Sequence, residues 1–321
     1  MSLLRETDAQ IPVCKVNQCG CVIKYIQEKL HMSKMSIRFY NDHEVRAIWD
    51  DENSKWWFSV LDVLAAINNQ ENHQKNRNYW KYLKNKLKKE GNELVSTTNR
   101  FKMQAPDGKM RMTDVVDLEG VASLANAIPN NRATAFLDWF TYSDNTIDGK
   151  SKKKAYAFWE SNLIADDDIG TTKALQQIHA YIFGGLYDFA GKIRDKTISK
   201  GGFTFCLAQY LHSSLKEIDN MPEDTFDEIM DKYITMNLAH PFMEGNGRST
   251  RIWLDLILKK RLKKCVDWSA IDKNEYLDAM RLSVSDDTMI KKLVEGALTD
   301  KINDRDVFMK GIDYSYYYEE E

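Results

Sequence analysis

The sequence predicts an α+β chain in which a small mixed domain precedes a helical one. Three observations predict it. Apolar and polar residues alternate with period two between Ser36 and Phe58, the signature of short strands. From Thr171 onward the apolar residues instead recur every three or four positions, in segments of helix length. Between these regions a charged stretch, 144–156, contains Gly149 and Lys152-Lys153-Lys154 and reads as a linker. A length of 321 residues suits two domains, each able to bury its own core. We therefore expect an extension over 1–34, domains over 35–143 and 157–321, and the linker between them.

Composition narrows the class. A net charge of −3 predicts no general attraction to nucleic acid or to a membrane surface, and no apolar run approaches the roughly 20 residues of a membrane span. Arg5, Glu6 and Asp8 are not followed by the apolar core of a secretory signal. Five scattered cysteines fit a reducing compartment, so a cytoplasmic enzyme without a membrane partner is expected. Cys14, Cys19, Cys21 and His31 lack the spacing of a closed zinc site. Met32 and Met35 precede the first strand signal, so residues 1–34 read as an extension or as sequence before a later natural start.

The elements of the first domain follow in order. Ser36–Tyr40 and Glu44–Trp49 alternate as strands around a turn at Asn41-Asp42. Asp50 to Asn53 turns the chain into a third strand at Lys55-Trp56-Trp57-Phe58. Ser59 caps a helix through Val60, Val63, Leu64 and Ile67. A basic stretch runs from Lys75 to Lys89 with Tyr79, Trp80 and Tyr82 interleaved. Pro106-Asp107-Gly108 reads as a hairpin tip between two further strands. Helices over 118–127 and 131–140 close the unit. Arg46-Ala47-Ile48-Trp49, the run Trp57 to Val63, Tyr79-Trp80-Lys81 and Asp107 to Arg111 make this segment resemble the Bro N-terminal domain. That family is associated with DNA binding, which the Lys75–Lys89 stripe could support through phosphate contacts. The alternative is a solvated helix face whose aromatic residues pack inward.

In the second domain, Thr171 to Phe189 reads as a helix through Leu175, Ile178, Ile182 and Leu186. Another spans Asp224 to Ala239 and stops at Pro241, fixing His240 at a rigid helix end. Gly245-Asn246-Gly247 then permits a tight turn, and a helix from Arg248 to about Lys263 begins with its free amides facing that turn. A helix start of this kind suits a phosphate chain. Glu244 offers hard oxygen to a magnesium ion, Arg248 and Arg251 lie three apart and can neutralise phosphate oxygens, and His240 can accept a proton near neutral pH. Together these residues describe attack of a hydroxyl on a nucleotide phosphate.

The run from His240 to Arg251 resembles, position for position, the signature of the Fic domain, and the likeness extends from about Ala157 to the C-terminus. The resemblance implies an all-α domain with a β-hairpin flap that transfers AMP from ATP, with Mg2+, to a Ser, Thr or Tyr hydroxyl of a protein. By this resemblance His240 is the general base, Glu244 the magnesium ligand and Asn246 a donor to the α-phosphate. Gly245 and Gly247 line the anion nest, and Arg248 and Arg251 grip the β- and γ-phosphates. A phosphate-transferring branch has lysine in place of the second glycine, so Gly247 implies nucleotide transfer. The flap implied has Lys200, Gly201 and Gly202 at its tip and Ile198 and Phe203 beside it, where a target segment would pair as an added strand. Cys206-Leu207 departs from the Ala-Pro often found there.

The tail from Asp304 to Tyr318 predicts a helix, with Ser315 and Glu319 on one face. It resembles the C-terminal inhibitory helix of some Fic proteins, which implies that Glu319 pairs with Arg251 and takes the place of the γ-phosphate. The family motif continues with glycine or asparagine where this chain has Glu320. Tyr316 borders the implied site and is a candidate for self-modification, and dissociation of a homo-oligomer is one route to freeing the tail. Two alternative functions remain: a DNA-binding regulator acting through the first domain with the Fic-like domain as a passive partner, and removal of AMP from a modified protein at the same site with Glu319 positioning water.

Overall fold

A computed structural model describes residues 35–50, 52–105, 109–200 and 202–319. The extension over 1–34 with its cysteines, the hairpin tip Pro106-Asp107-Gly108, Gly201 and Glu320 lie outside the described residues.

The first domain is built on one antiparallel sheet. Strands β1 (Met35–Tyr40), β2 (His43–Asp50) and β3 (Lys55–Ser59) lead into helices α1 (Val60–Asn68), α2 (His73–Lys89) and α3 (Leu94–Thr97). Strands β4 (Asn99–Gln104) and β5 (Met110–Val116) follow, then α4 (Leu118–Asn126) and α5 (Arg132–Tyr142). The strand order is β1-β2-β3-β5-β4, which leaves β1 at one edge. Asn41 and Asp42 both take left-handed backbone angles and join β1 to β2, pairing Tyr40 with His43. This two-residue turn matches the sheet's right-handed twist. Ser59 caps α1 through its side chain, as its place before the apolar run predicts. Val45, Phe58, Val63, Leu64, Ile67 and Phe136 form the core between sheet and helices. Arg46 grips Asp62 through Nε at 2.6 Å and Nη2 at 2.7 Å, a forked pair tying β2 to α1.

The stretch 144–156, expected as a linker, is instead mostly helix: α6 spans Ile147–Ala157, capped by the Thr146 hydroxyl. Its polar composition misleads because its partners lie far away in sequence. Lys152 pairs with the buried Asp313 at 2.7 Å and Lys154 donates to the Gly184 carbonyl. Gly149 serves packing, since a Cβ there would come within 2.1 Å of the Ser143 carbonyl.

The second domain contains α7 (Thr172–Phe183), the short hairpin β6 (Ser199–Lys200) and β7 (Phe203–Thr204), α8 (Ala208–Asp219), α9 (Phe226–Ala239) and α10 (Asn246–Leu262). It continues through β8 (Cys265–Val266), α11 (Lys273–Leu282), α12 (Thr288–Gly296), β9 (Leu298–Thr299) and α13 (Arg305–Tyr317). Helix α7 ends before the expected Phe189, because Gly184 caps it and Gly185 takes a left-handed angle. The pairing of β8 with β9 has no period-two signal long enough to read. Thr225 and Glu228 close a reciprocal capping box at the start of α9. Helix α10 is the central member, packed against α7, α9 and α13, with Trp253, Leu254, Ile257 and Leu258 fully buried. No helix among the described residues is long and apolar enough to cross a membrane.

Trp253 joins packing to a hydrogen bond, since its indole N–H donates to the Thr171 carbonyl at 3.0 Å. Trp253→Ala should cost about 3–5 kcal/mol and lower the urea midpoint. A midpoint matching the wild type would contradict this placement of the core.

Candidate active site

Helix α9 delivers His240 and helix α10 delivers the arginines; the turn between them makes the site. His240 closes α9 in a left-handed conformation, φ 49° and ψ 64°. A non-glycine residue held there signals a constraint from its surroundings. Its ring stacks on Phe205 at 3.7 Å and 15°, and Nδ1 lies 3.2 Å from the Asn237 carbonyl. A carbonyl only accepts, so Nδ1 carries the proton and the lone pair of neutral His240 sits on Nε2. Burial pushes the pKa of His240 down to about 4, so the ring is neutral at pH 7.

The turn is stapled from within. Both the carbonyl and amide groups of Asn246 are bound to Phe242, at 2.8 Å each, and the side chain is buried. The resemblance implies that this amide donates to a phosphate; in the structure its oxygen and one of its N–H groups close the loop. Gly245 takes φ 79°, and a Cβ there would meet the Phe183 ring at 2.4 Å. Glu244 is half-exposed, and its Oε1 accepts from the Gly245 N–H and from Arg248 Nη2, each at 3.0 Å.

The two arginines are almost wholly buried. Arg248 lies between the rings of Phe183 and Tyr316, at 5.0 and 5.2 Å. It donates to Asp148 of α6 and to Glu244, while its Nε–H has no hydrogen-bond partner. Arg251 donates from Nε to Ser315 Oγ and from Nη2 to the Ser315 carbonyl, each at 2.7 Å, and to Glu319 Oε1 at 2.5 Å. Burial works against both charges of this pair. Tyr276 and Glu319 nevertheless hold the Arg251 pKa above its ordinary value, and Arg251 holds Glu319 below the usual carboxylate range. Ser315 and Glu319, four apart on one helix face, thus both meet Arg251. Glu319 Oε1 lies so close to Gly247 that a Cβ there would come within 2.2 Å of it. The carboxylate therefore sits over the first turn of α10, where the helix presents its free amides.

The hairpin is present as expected around Lys200, Gly202 and Phe203, with Ser199 and Thr204 hydroxyls 2.9 Å apart and Phe203 exposed. Ile198 accepts the Phe205 N–H through its carbonyl at 3.2 Å. Phe203 meets Phe205 edge-on at 5.2 Å, which links the hairpin to the His240 ring. Tyr316 is buried, and its hydroxyl donates to Ser151.

Three residues escaped the sequence reading. Arg194 is buried and spends its guanidinium on the carbonyls of His240, Ala239, Cys206 and Lys196, at 2.6–3.0 Å. It binds the hairpin's exit to the end of α9, which fixes the path that Cys206-Leu207 left unspecified. His179 stacks on Phe242 at 3.8 Å; Nε2–H donates to the Glu244 carbonyl at 2.9 Å, and Nδ1 accepts from the Gly191 N–H at 2.8 Å. Asp148 lay in the expected linker. Their types gave no signal, because each acts through contacts distant in sequence.

The low pKa of His240 has a checkable sign. The fold favours the neutral ring, so its contribution to stability is present above pH 6.5 and is lost as pH falls toward 4. In an NMR titration the His240 ring carbons should stay in the neutral position from pH 8 to about 5. A midpoint near the ordinary histidine value would contradict the buried, carbonyl-tethered ring.

Residues 170–258 match the Fic/DOC family, and residues 44–147 match the BRO family, N-terminal domain. The chain is 29% identical over 122 residues to the probable protein adenylyltransferase y4lH of Sinorhizobium fredii, covering 34% of this chain and 63% of that one. It is 28% identical over 193 residues to the protein adenylyltransferase fic-1 of Caenorhabditis elegans, covering 54% of this chain and 36% of that one. The matches thus span less than two thirds of either relative's length. Among solved structures it is similar to the BepC protein of Bartonella tribocorum with bound AMPPNP, at 18% identity and a TM-score of 0.43, covering 51% of this chain and 89% of that one. The chain carries a Fic domain behind a BRO family N-terminal domain.

Proposed function

We propose that this chain is a protein adenylyltransferase: it transfers AMP from ATP to a hydroxyl of a target protein and is held inactive by its own C-terminal helix. One observation carries the reading. A histidine with its lone pair on Nε2, two buried guanidinium groups and the amide end of α10 converge on a turn where Glu319 already takes an anion's place.

The donor set fits a triphosphate. Arg251 exchanges Glu319 for a terminal phosphate, and Arg248 has an unused buried N–H for another phosphate oxygen. The α10 amides supply uncharged donors. Glu244 is the carboxylate at the turn that would hold Mg2+, which when bound neutralises phosphate charge. In the transfer, the target hydroxyl oxygen forms a bond to the α-phosphorus and the bond to the pyrophosphate oxygen breaks. His240 Nε2 takes the hydroxyl proton, and pyrophosphate leaves. The Phe205 stack and the Asn237 carbonyl hold the ring in orientation throughout. The exposed hairpin is the surface on which the target segment would lie as an added strand. Tyr316 is not an acceptor while the tail is docked, because its hydroxyl is buried against Ser151.

A second activity is favoured by one face of α2. Lys75, Arg77, Lys81, Lys88 and Lys89 are exposed while Trp80, Leu83 and Leu87 are buried, so the helix offers a cationic surface suited to DNA phosphates. Duplex binding should weaken steeply with added salt, and Lys81→Glu with Lys88→Glu should weaken it at every sequence alike. Binding insensitive to either change would exclude this face.

Incubation with labelled ATP and a bacterial lysate tests the transferase. Glu319→Gly should raise protein labelling by roughly tenfold or more, since it removes the anion that competes for a buried guanidinium. His240→Ala in that background should lower it by about 10²–10⁴-fold. Equal labelling by wild type and Glu319→Gly would remove the self-inhibition, and full activity of the His240 variant would remove the mechanism.

A further inference from the structure

Helix α13 has two working faces. Ser315 and Glu319 engage Arg251 in the helical domain. Lys310, Asp313, Tyr314 and Tyr317, spaced i, i+3, i+4 and i+7, form a different stripe, and each of them touches the N-terminal sheet. β1 is the sheet's edge, where backbone groups are left without a strand partner. The Ile37 N–H donates to Asp313 Oδ2 at 2.7 Å, and Lys152 Nζ donates to the Ile37 carbonyl at 3.1 Å. Asp313 is fully buried and also takes Lys152 Nζ at 2.7 Å and the Tyr156 hydroxyl. Phe39 stacks on Tyr317 at 4.0 Å and meets Tyr314 edge-on at 5.1 Å. The Tyr314 hydroxyl donates to Glu44 at 2.5 Å and that of Tyr317 to Asp42 at 2.6 Å. Lys310 reaches the Gln104 side chain at 2.9 Å.

We propose that the N-terminal domain clamps the inhibitory helix, so that Glu319 leaves Arg251 only when the β1 edge parts from α13 or carries it away. The inference rests on the proposed role of Glu319 and adds what controls it. The carboxylate stands one turn beyond Ser315, at the end of a helix whose preceding two turns are fastened to the sheet. Tail and sheet are thereby one unit with respect to the nucleotide site. Helix α6 extends the same unit, since Ser151 receives the Tyr316 hydroxyl and Asp148 holds Arg248. A ligand or partner that displaces the β1 edge acts on the transferase without touching its turn. A tail fastened only by Arg251 would be indifferent to that edge.

Hydrogen exchange in the 321-residue chain tests this directly. Phe39→Ala with Glu44→Gln should speed exchange of the 312–319 amides by about tenfold or more, leaving those of α9 and α10 unchanged. AMP transfer should rise in parallel. Tyr314→Phe with Tyr317→Phe keeps the rings and removes only the two hydroxyls, and should speed the same amides by about tenfold; this pair decides the question should the first variant disturb the sheet. Wild-type exchange rates across 312–319 in the folded variants would overturn the clamp. Glu319→Gly separates the two readings. If it transfers AMP while the clamp variants exchange like wild type, the clamp fails and the transferase stands. If it transfers none while the clamp variants exchange faster, the clamp stands and the transferase fails.

Discussion

A buried guanidinium group governs this site. Arg251 is buried on every side, with Ser315 and Glu319 on two of its nitrogens and the rings of Tyr276 and Tyr318 over its plane at 5.6 and 5.4 Å. Removing an ion from water costs several kcal/mol, and breaking a buried pair by taking away one partner costs about 3–5 kcal/mol. The pocket therefore requires an anion. In the proposed cycle that requirement is met by Glu319 or by a phosphate, and the exchange of one for the other is what makes a carboxylate an effective competitor. The low pKa of Glu319 and the raised pKa of Arg251 are two views of the same dependence.

Gly247 belongs to this constraint as well. A side chain at 247 would collide with Glu319 and crowd Arg251 Nη1 at 3.1 Å, so the glycine makes room for the tail. Arg248 is treated differently. Its carboxylate partners, Asp148 and Glu244, are both largely exposed, and one N–H stays uncommitted. Both arginines are buried, but the first is paired with exposed carboxylates and the second with the docked tail.

The sequence made local features legible and left long-range ones hidden. The Asn41-Asp42 turn, the Ser59 cap, the α9–α10 junction and the Ser315–Glu319 pair each depend on neighbours within a few residues, and each is found. Helix α6 was read as a linker because its lysines suggested solvent, yet Lys152 answers Asp313 and Asp148 answers Arg248, more than ninety positions away. Arg194 was invisible for the same reason, since only the folded chain brings four carbonyls around it. Asn246 shows a subtler limit. Its place in the turn was legible, but its amide serves the loop's closure, a role its type alone cannot separate from ligand binding.

The tail shows how one composition supports opposite readings. Four tyrosines and a terminal run of glutamates suggest a solvated acidic end when counted. Spacing says otherwise. Tyr316 and Tyr318 are buried, the first donating to Ser151 and the second sharing its one O–H between the Trp268 and Ile271 carbonyls, while Tyr314 and Tyr317 reach carboxylates of β2 and the β1–β2 turn. Each phenol supplies apolar area and one directed donor, so four of them can face three different elements along a single helix. Leucines at these positions would bury comparable area but would not distinguish one register of α13 from the next. The hydroxyls fix the helix's rotation and its height, and it is that register, set against the sheet and α6, that delivers Glu319 to the start of α10.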